Sequence, residues 1–270
     1  MTIHQTIENA LPATCIGVST KMYLGYGASL RWLEQIQGVV ADRPGIYPGG
    51  PVRVVVIPSY PVLESARRIF VDGPVLLGAQ NCSWGEGALT GEVSAAMLSE
   101  LGVSVVEIGH AERRSLFGES DAVVALKTKA ALAAGLEPLL CVGEDVRMAP
   151  EDAAGHCLAQ VMSAIGSGGR QEKHLGRLLL AYEPVWAIGA PAPAPAEYVN
   201  CVADTLRRML AERSEEIPGI IYGGSAGPGL LPELESLDGL FLGRFAHDPE
   251  NFGIVLDEAL GGQRPAAGAR

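Results

Sequence analysis

The sequence predicts an α/β fold built on eight parallel strands, and three observations carry that reading. Eight short, apolar, β-rich runs recur along the chain: Cys15–Ser19, Val52–Ile57, Val75–Ala79, Val103–Ile108, Pro138–Val142, Leu178–Tyr182, Gly219–Ile221 and Gly239–Leu242. Most are continuous rather than alternating, as expected of strands covered on both faces. Longer stretches with helical spacing lie between them. In Leu126–Leu136, Ala and Leu dominate and Gly135 stands where a helix would be capped. Strands alternating with helices fit a closed parallel barrel or a large doubly wound sheet, and periodicity alone does not choose between them.

Taken in order, residues 1–14 read as an N-terminal extension, 15–260 as one α/β domain and 261–270 as a Gly/Pro/Ala-rich, frayed tail. The length of 270 residues, 48% of them hydrophobic, suits one domain with a large core. Pro191–Ala196 (PAPAPA) is too short to link two domains and reads as a stiff loop.

The net charge of −11 disfavours nucleic acid and anionic membranes as partners. An anionic substrate would therefore need positive potential built locally. The five cysteines are odd in number and irregularly spaced, with no C-x-x-C. They suggest neither a disulfide framework nor a zinc site, and they fit a reducing compartment. The first residues lack the basic start and apolar run of a secretory signal, and no long apolar window suggests a membrane span. A cytoplasmic location is the expectation.

The chemistry-bearing residues cluster just after predicted strands. Lys21 follows the first, Gln80 and Asn81 the third, His110 and Glu112 the fourth. Glu183 follows the sixth, Gly223–Ser225 the seventh and Gly243 the eighth. In a closed α/β barrel these positions open onto one face, where active sites lie.

Four of these segments resemble the triose-phosphate isomerase family. They are Gly78–Glu92 (GAQNCSWGEGALTGE), Glu107–Lys127 (EIGHAERRSLFGESDAVVALK), Ala181–Gly189 (AYEPVWAIG) and Tyr222–Ser225 (YGGS). Order and spacing match over roughly residues 15–260. The resemblance implies a single-domain (β/α)8 barrel and a cofactor-independent isomerisation of a small phosphorylated sugar through an enediolate. It places Glu183 on the catalytic base, His110 on the electrophile and Lys21 on the cationic residue of the first strand end. It also places Glu112 on the acid beside the site, and Gly189, Ser225 and Gly243 on phosphate-binding positions. Pro184–Gly189 corresponds to a mobile lid. The Gly78–Glu92 loop would enter a neighbouring subunit with Thr90 near the partner's site, which implies a homodimer. No metal and no organic cofactor is implied.

These roles make chemical sense. Moving a proton between adjacent carbons of an α-hydroxycarbonyl needs a carboxylate over the carbon, as Glu183 would supply. It also needs a donor for the developing oxyanion, a part for His110, and positive charge, a part for Lys21. Gly223, Gly224 and Gly243 would let backbone N–H groups approach a phosphate. Arg113 reads as an ion-pair partner, Cys141 as packing, and His156, His174 and His247 as surface residues.

The chain departs from the family at three places. Ser19-Thr20-Lys21 stands for Asn-Trp-Lys, Ala111 for the serine of the H-S-E motif, and Arg244 for the second glycine of the last phosphate loop. Ser19 leaves volume that a triose does not need. A tetrulose 1-phosphate, with one more hydroxymethyl on the reacting carbon, would use it. Two substrates therefore stand side by side. One is the glyceraldehyde 3-phosphate and dihydroxyacetone phosphate pair; the alternative is L-erythrulose 1-phosphate and D-erythrulose 4-phosphate. Arg244 is a candidate contact for the phosphate or the extra hydroxyl. The proline run after the lid would restrict its far hinge. A barrel that binds a sugar phosphate without turnover is a third reading, opposed by Lys21, His110 and Glu183.

Overall fold

The structure is a computed structural model that describes residues 13–166, 172–188 and 193–261. Eight parallel strands close into a barrel in sequence order. They are β1 (Thr14–Ser19), β2 (Val52–Ile57), β3 (Val75–Ala79), β4 (Val105–Ile108), β5 (Glu137–Val142), β6 (Leu179–Tyr182), β7 (Gly219–Tyr222) and β8 (Gly239–Leu242). The outer layer comprises α1 (Tyr26–Ala41), α2 (Leu63–Ile69), α3 (Ala95–Leu101), α4 (Ala111–Phe117), α5 (Asp121–Ala133), α6 (Pro150–Ile165), α7 (Ala196–Ala211) and α8 (Pro249–Gly261). Of the two topologies the sequence left open, the closed barrel is therefore the one formed. Its seam is the β1–β8 pairing, Cys15 with Gly239 through Val18 with Leu242.

The continuous apolar runs follow from two buried faces. Inward-pointing Cys15, Val55, Ile57, Val105, Leu139, Leu179, Ile221 and Phe241 fill the barrel. Their neighbours, such as Ile16, Val54, Val106, Leu140 and Ile220, pack outward under the helices. The helices show the matching periodicity. In α7, Tyr198, Val199, Val202, Ala203, Leu206 and Leu210 make one buried stripe. Gly135 lies just beyond α5 with φ +79°, a left-handed conformation that glycine takes without a Cβ penalty.

Boundaries moved by a residue or two. β1 begins at Thr14, inside the expected extension, and β4 begins at Val105 rather than Val103. Val103 is buried but precedes the first ladder pair. Among the described residues, no helix is long and apolar enough to cross a membrane. The described cysteines are all free, and four of the five are buried.

Candidate active site

The inward side-chain sets of β1, β4 and β6 run up to the carboxyl end of the barrel. Ser19 is two residues beyond Gly17, Glu107 two beyond Val105, and Glu183 two beyond Ala181, so each points inward by strand alternation. All three are buried, as is His110. The structure thus gathers Glu183, His110, Lys21, Ser19 and Glu112 around one small volume.

His110 caps α4, and its Nδ1 accepts the N–H of Glu112 at 3.1 Å. An accepting Nδ1 places the ring proton on Nε2 in the neutral imidazole. That Nε2 lies 3.7 Å from Glu183 Oε1 and 3.9 Å from Glu107 Oε1. It is a proton donor flanked by two carboxyl groups.

Glu183 is only loosely tethered. The Ala111 N–H donates to Oε2 at 3.5 Å, the far limit for a hydrogen bond. The Cys141 thiol lies near it, and burial raises this thiol well above its ordinary range, with the charge of Glu183 adding to the effect. Cys141 is therefore held as a neutral packing group, as expected. Two glycines make room for the carboxylate. A Cβ on Gly143 would fall 1.8 Å from the carbonyl oxygen of Glu183, and one on Gly223 would fall 2.7 Å from its Cγ.

Lys21 Nζ donates to Glu112 Oε1 at 2.7 Å. Burial alone would lower the Lys21 pKa. The Glu112 hydrogen bond and the charges of Glu112, Glu183 and Glu107 outweigh that, and the net displacement is upward. The backbone at Lys21 is strained, with φ +45°. Its carbonyl is held by the Ser59 hydroxyl at 2.8 Å and Gln80 Nε2 at 2.9 Å. Gln80 thus positions the cation rather than meeting a ligand. Asn81 is also structural: its Oδ1 accepts from Lys127 Nζ at 2.8 Å.

The remaining expected residues lie around the rim. Gly224 is buried and Ser225 exposed on the loop after β7; Gly243 is half-buried after β8. The Gly223 N–H already donates to Tyr182 O at 2.8 Å, so this glycine serves clearance for Glu183. Arg244 is exposed, and its guanidinium stacks 5.5 Å above the Tyr23 ring. Thr90 is exposed on the loop between β3 and α3. Gly189 lies outside the described residues. Arg113 makes the expected ion pair, with Glu119 at 2.5 Å. His156 is exposed, but His247 is partly buried, 3.4 Å from Ser19 O and stacked near Tyr23. Burial lowers the His247 pKa, with Arg244 and Lys21 adding to the effect.

Two features lay outside the sequence reading. Glu107 opens the Glu107–Lys127 segment, and its one signal there is a lone acid in the run VSVVEIG. Glu144, after β5, is fully buried and accepts from Tyr182 Oη at 3.1 Å, Trp186 Nε1 at 2.7 Å and Tyr198 Oη at 2.8 Å. It ties Trp186, in the turn after β6, to the barrel.

A closed (β/α)8 barrel whose strand ends converge on a carboxyl group, an imidazole and an ammonium is suited to proton transfer on a small anionic substrate. The chain belongs to the triosephosphate isomerase family, whose model matches residues 14–259. A protein of Pectobacterium atrosepticum named L-erythrulose-1-phosphate isomerase is 47% identical over 91% of this chain and 95% of its own length. A triosephosphate isomerase of Chlorobium phaeovibrioides is 40% identical over 76% of this chain and 84% of its own. The crystal structure of triosephosphate isomerase from Bartonella henselae superposes with a TM-score of 0.73 at 30% identity, covering 90% of this chain and 98% of that one. This protein is thus a sugar-phosphate isomerase of that family.

Proposed function

We propose that the protein interconverts L-erythrulose 1-phosphate and D-erythrulose 4-phosphate, a ketose–ketose isomerisation. The observation that carries this over the triose reading is the 47% identity, across nearly the whole chain, to a relative named for that substrate. The short, buried Ser19 on the floor of the site supports it, since it leaves volume for a fourth carbon.

In this reading Glu183 removes the proton from C3, the carbon bearing the hydroxyl and the hydroxymethyl. The resulting C2–C3 enediolate is met by the His110 Nε2–H, with Lys21 supplying positive charge. The hydroxyl proton leaves O3 and O2 gains one, relayed by the His110 imidazole beside both oxygens; Glu183 returns its proton to C2, and the carbonyl has moved one carbon. No other group need be oxidised or reduced. The N–H groups of Gly224, Ser225 and Gly243 and the segment reaching Gly189 bind the phosphate. The Gly78–Glu92 loop, with Thr90, joins two copies into a homodimer, and the enzyme works in the cytoplasm without a cofactor.

The test is purified enzyme assayed on L-erythrulose 1-phosphate and on glyceraldehyde 3-phosphate. The expected result is a higher kcat/KM on the tetrulose. A kcat/KM on the triose near the diffusional ceiling of about 10⁸–10⁹ M⁻¹ s⁻¹ would sink the tetrulose reading. Glu183→Gln should abolish turnover of either substrate with the fold intact; retained turnover removes it as the base.

A further inference from the structure

We propose that Glu107 determines substrate specificity: through the opening left by the short Ser19 side chain, its carboxyl hydrogen-bonds the hydroxymethyl group on the reacting carbon of a four-carbon ketose phosphate. This assignment rests on the tetrulose reading above and adds the residue that enforces it.

The fold gives no reason for an acid here. Glu107 pairs in register with Leu139, and the same barrel interior is otherwise filled by residues such as Val105, Ile57, Leu139 and Ile221. An apolar side chain would pack at this point without desolvating a charge. No Lys or Arg ion-pairs with Glu107 among the described residues. Its polar neighbours include the Ser19 hydroxyl, which acts to lower its pKa, and His110 Nε2 at 3.9 Å, beyond hydrogen-bond reach. Its side chain is 4% exposed, and its carboxyl is left with acceptor capacity to spare.

Its location says what that capacity faces. The His110 Nε2 touched by Glu183 at 3.7 Å is the same atom that Glu107 approaches at 3.9 Å. A substrate seated against this nitrogen therefore meets both carboxyl groups. Glu183 is the base, so Glu107 is left to meet a group that does not react. A four-carbon ketose phosphate differs from a triose by one hydroxymethyl on the reacting carbon, and a hydroxyl donor complements a carboxyl acceptor. Ser19 is the neighbour short enough to leave the two in reach. Burial raises the Glu107 pKa to about 7; His110 and Lys21 pull it down and Glu183 pushes it up. Both the acceptor-only and the donor-acceptor forms thus occur near neutrality.

A triose cannot fill this bond. A site built around a substrate hydroxyl rejects the analogue lacking it, because the protein's polar group is then left unpaired. The test is kcat/KM on L-erythrulose 1-phosphate and on dihydroxyacetone phosphate for the wild type, Glu107→Leu and Glu107→Gln, with circular dichroism as the check on folding. Glu107→Leu should lose about 10²-fold on the tetrulose while its value on the triose holds or rises. Glu107→Gln, which keeps the shape but loses the charged acceptor, should lose about tenfold in the ratio and stands as the test should the Leu variant not fold. Equal losses on both substrates, as a purely positioning role would give, or an unchanged ratio in a folded variant overturn the proposal. A wild type that turns over the triose alone overturns the substrate reading and this assignment with it. A wild type active on the tetrulose, with variants of unchanged ratio, overturns this assignment alone.

Discussion

Glu107 also makes a prediction about stability that needs no substrate. Its carboxyl stands at about 7 in the fold, against an ordinary value near 4.5, with desolvation as the largest cause. Between those two pH values the folded chain holds a proton that the unfolded chain has lost. The stability this gives is full below about pH 4.5 and is lost as pH rises through 7. At about 1.4 kcal/mol per pH unit, the whole interval amounts to roughly 3 kcal/mol. Glu107→Gln is neutral at every pH and removes the dependence. Urea denaturation of wild type and variant at pH 5.5 and pH 8 isolates the effect, because other titrating groups cancel in the comparison. The variant should gain about 2 kcal/mol on the wild type between those points. A difference that stays constant with pH, or moves in the wild type's favour, refutes the account of Glu107 as a desolvated acid.

Two further substitutions probe the surroundings of the site. Gly223→Ala puts a methyl 2.7 Å from Glu183 Cγ, so the base must shift; kcat should fall about 10²-fold with little change in Tm, and an unchanged kcat would show that clearance is not why glycine stands there. Lys127→Met removes a buried ammonium that bonds Asn81 Oδ1 at 2.8 Å and pairs with Glu119, leaving that acid with Arg113 alone. The loss should be about 3–5 kcal/mol by urea denaturation, and a cost below about 1 kcal/mol would mean that Arg113 alone satisfies Glu119.

The fold was legible to the extent that local physics encodes it. Both faces of a parallel strand are covered, so runs such as Val52–Ile57 read as strands unaided. Closure was not encoded locally, because a doubly wound sheet shows the same alternation. What closes this barrel is a contact between distant segments. Gly239, at φ +146°, admits the Cys15 carbonyl where a Cβ would sit 1.9 Å away. The site was legible where polar residues follow strand ends, as with Lys21, His110 and Glu183. It was illegible at Glu107, an acid inside a strand, whose meaning depends on which way β4 turns. His247 read as a surface residue because nothing in its neighbourhood announces that the first strand's tip lies 3.4 Å away.

The same geometry bears on how an acidic chain orients a phosphorylated substrate. The floor carries Glu107 and Glu183 beside His110, and the Lys21 ammonium there is already paired with Glu112 at 2.7 Å. That end of the site offers a dianion little net attraction. The rim of β7 and β8 differs: it presents Gly224, Ser225 and Gly243 with no carboxylate among them, and Arg244 beside Tyr23. This charge distribution would sort the two ends of the proposed substrate by electrostatics. In the proposed reaction the phosphate would be turned away from the acids and toward the backbone N–H groups of that rim, with the hydroxyl-rich end facing the acids. The carboxyl groups that make the floor hostile to phosphate are the ones that suit it to remove a carbon-bound proton and accept a hydroxyl. One arrangement of charge thus accounts for both the orientation and the chemistry.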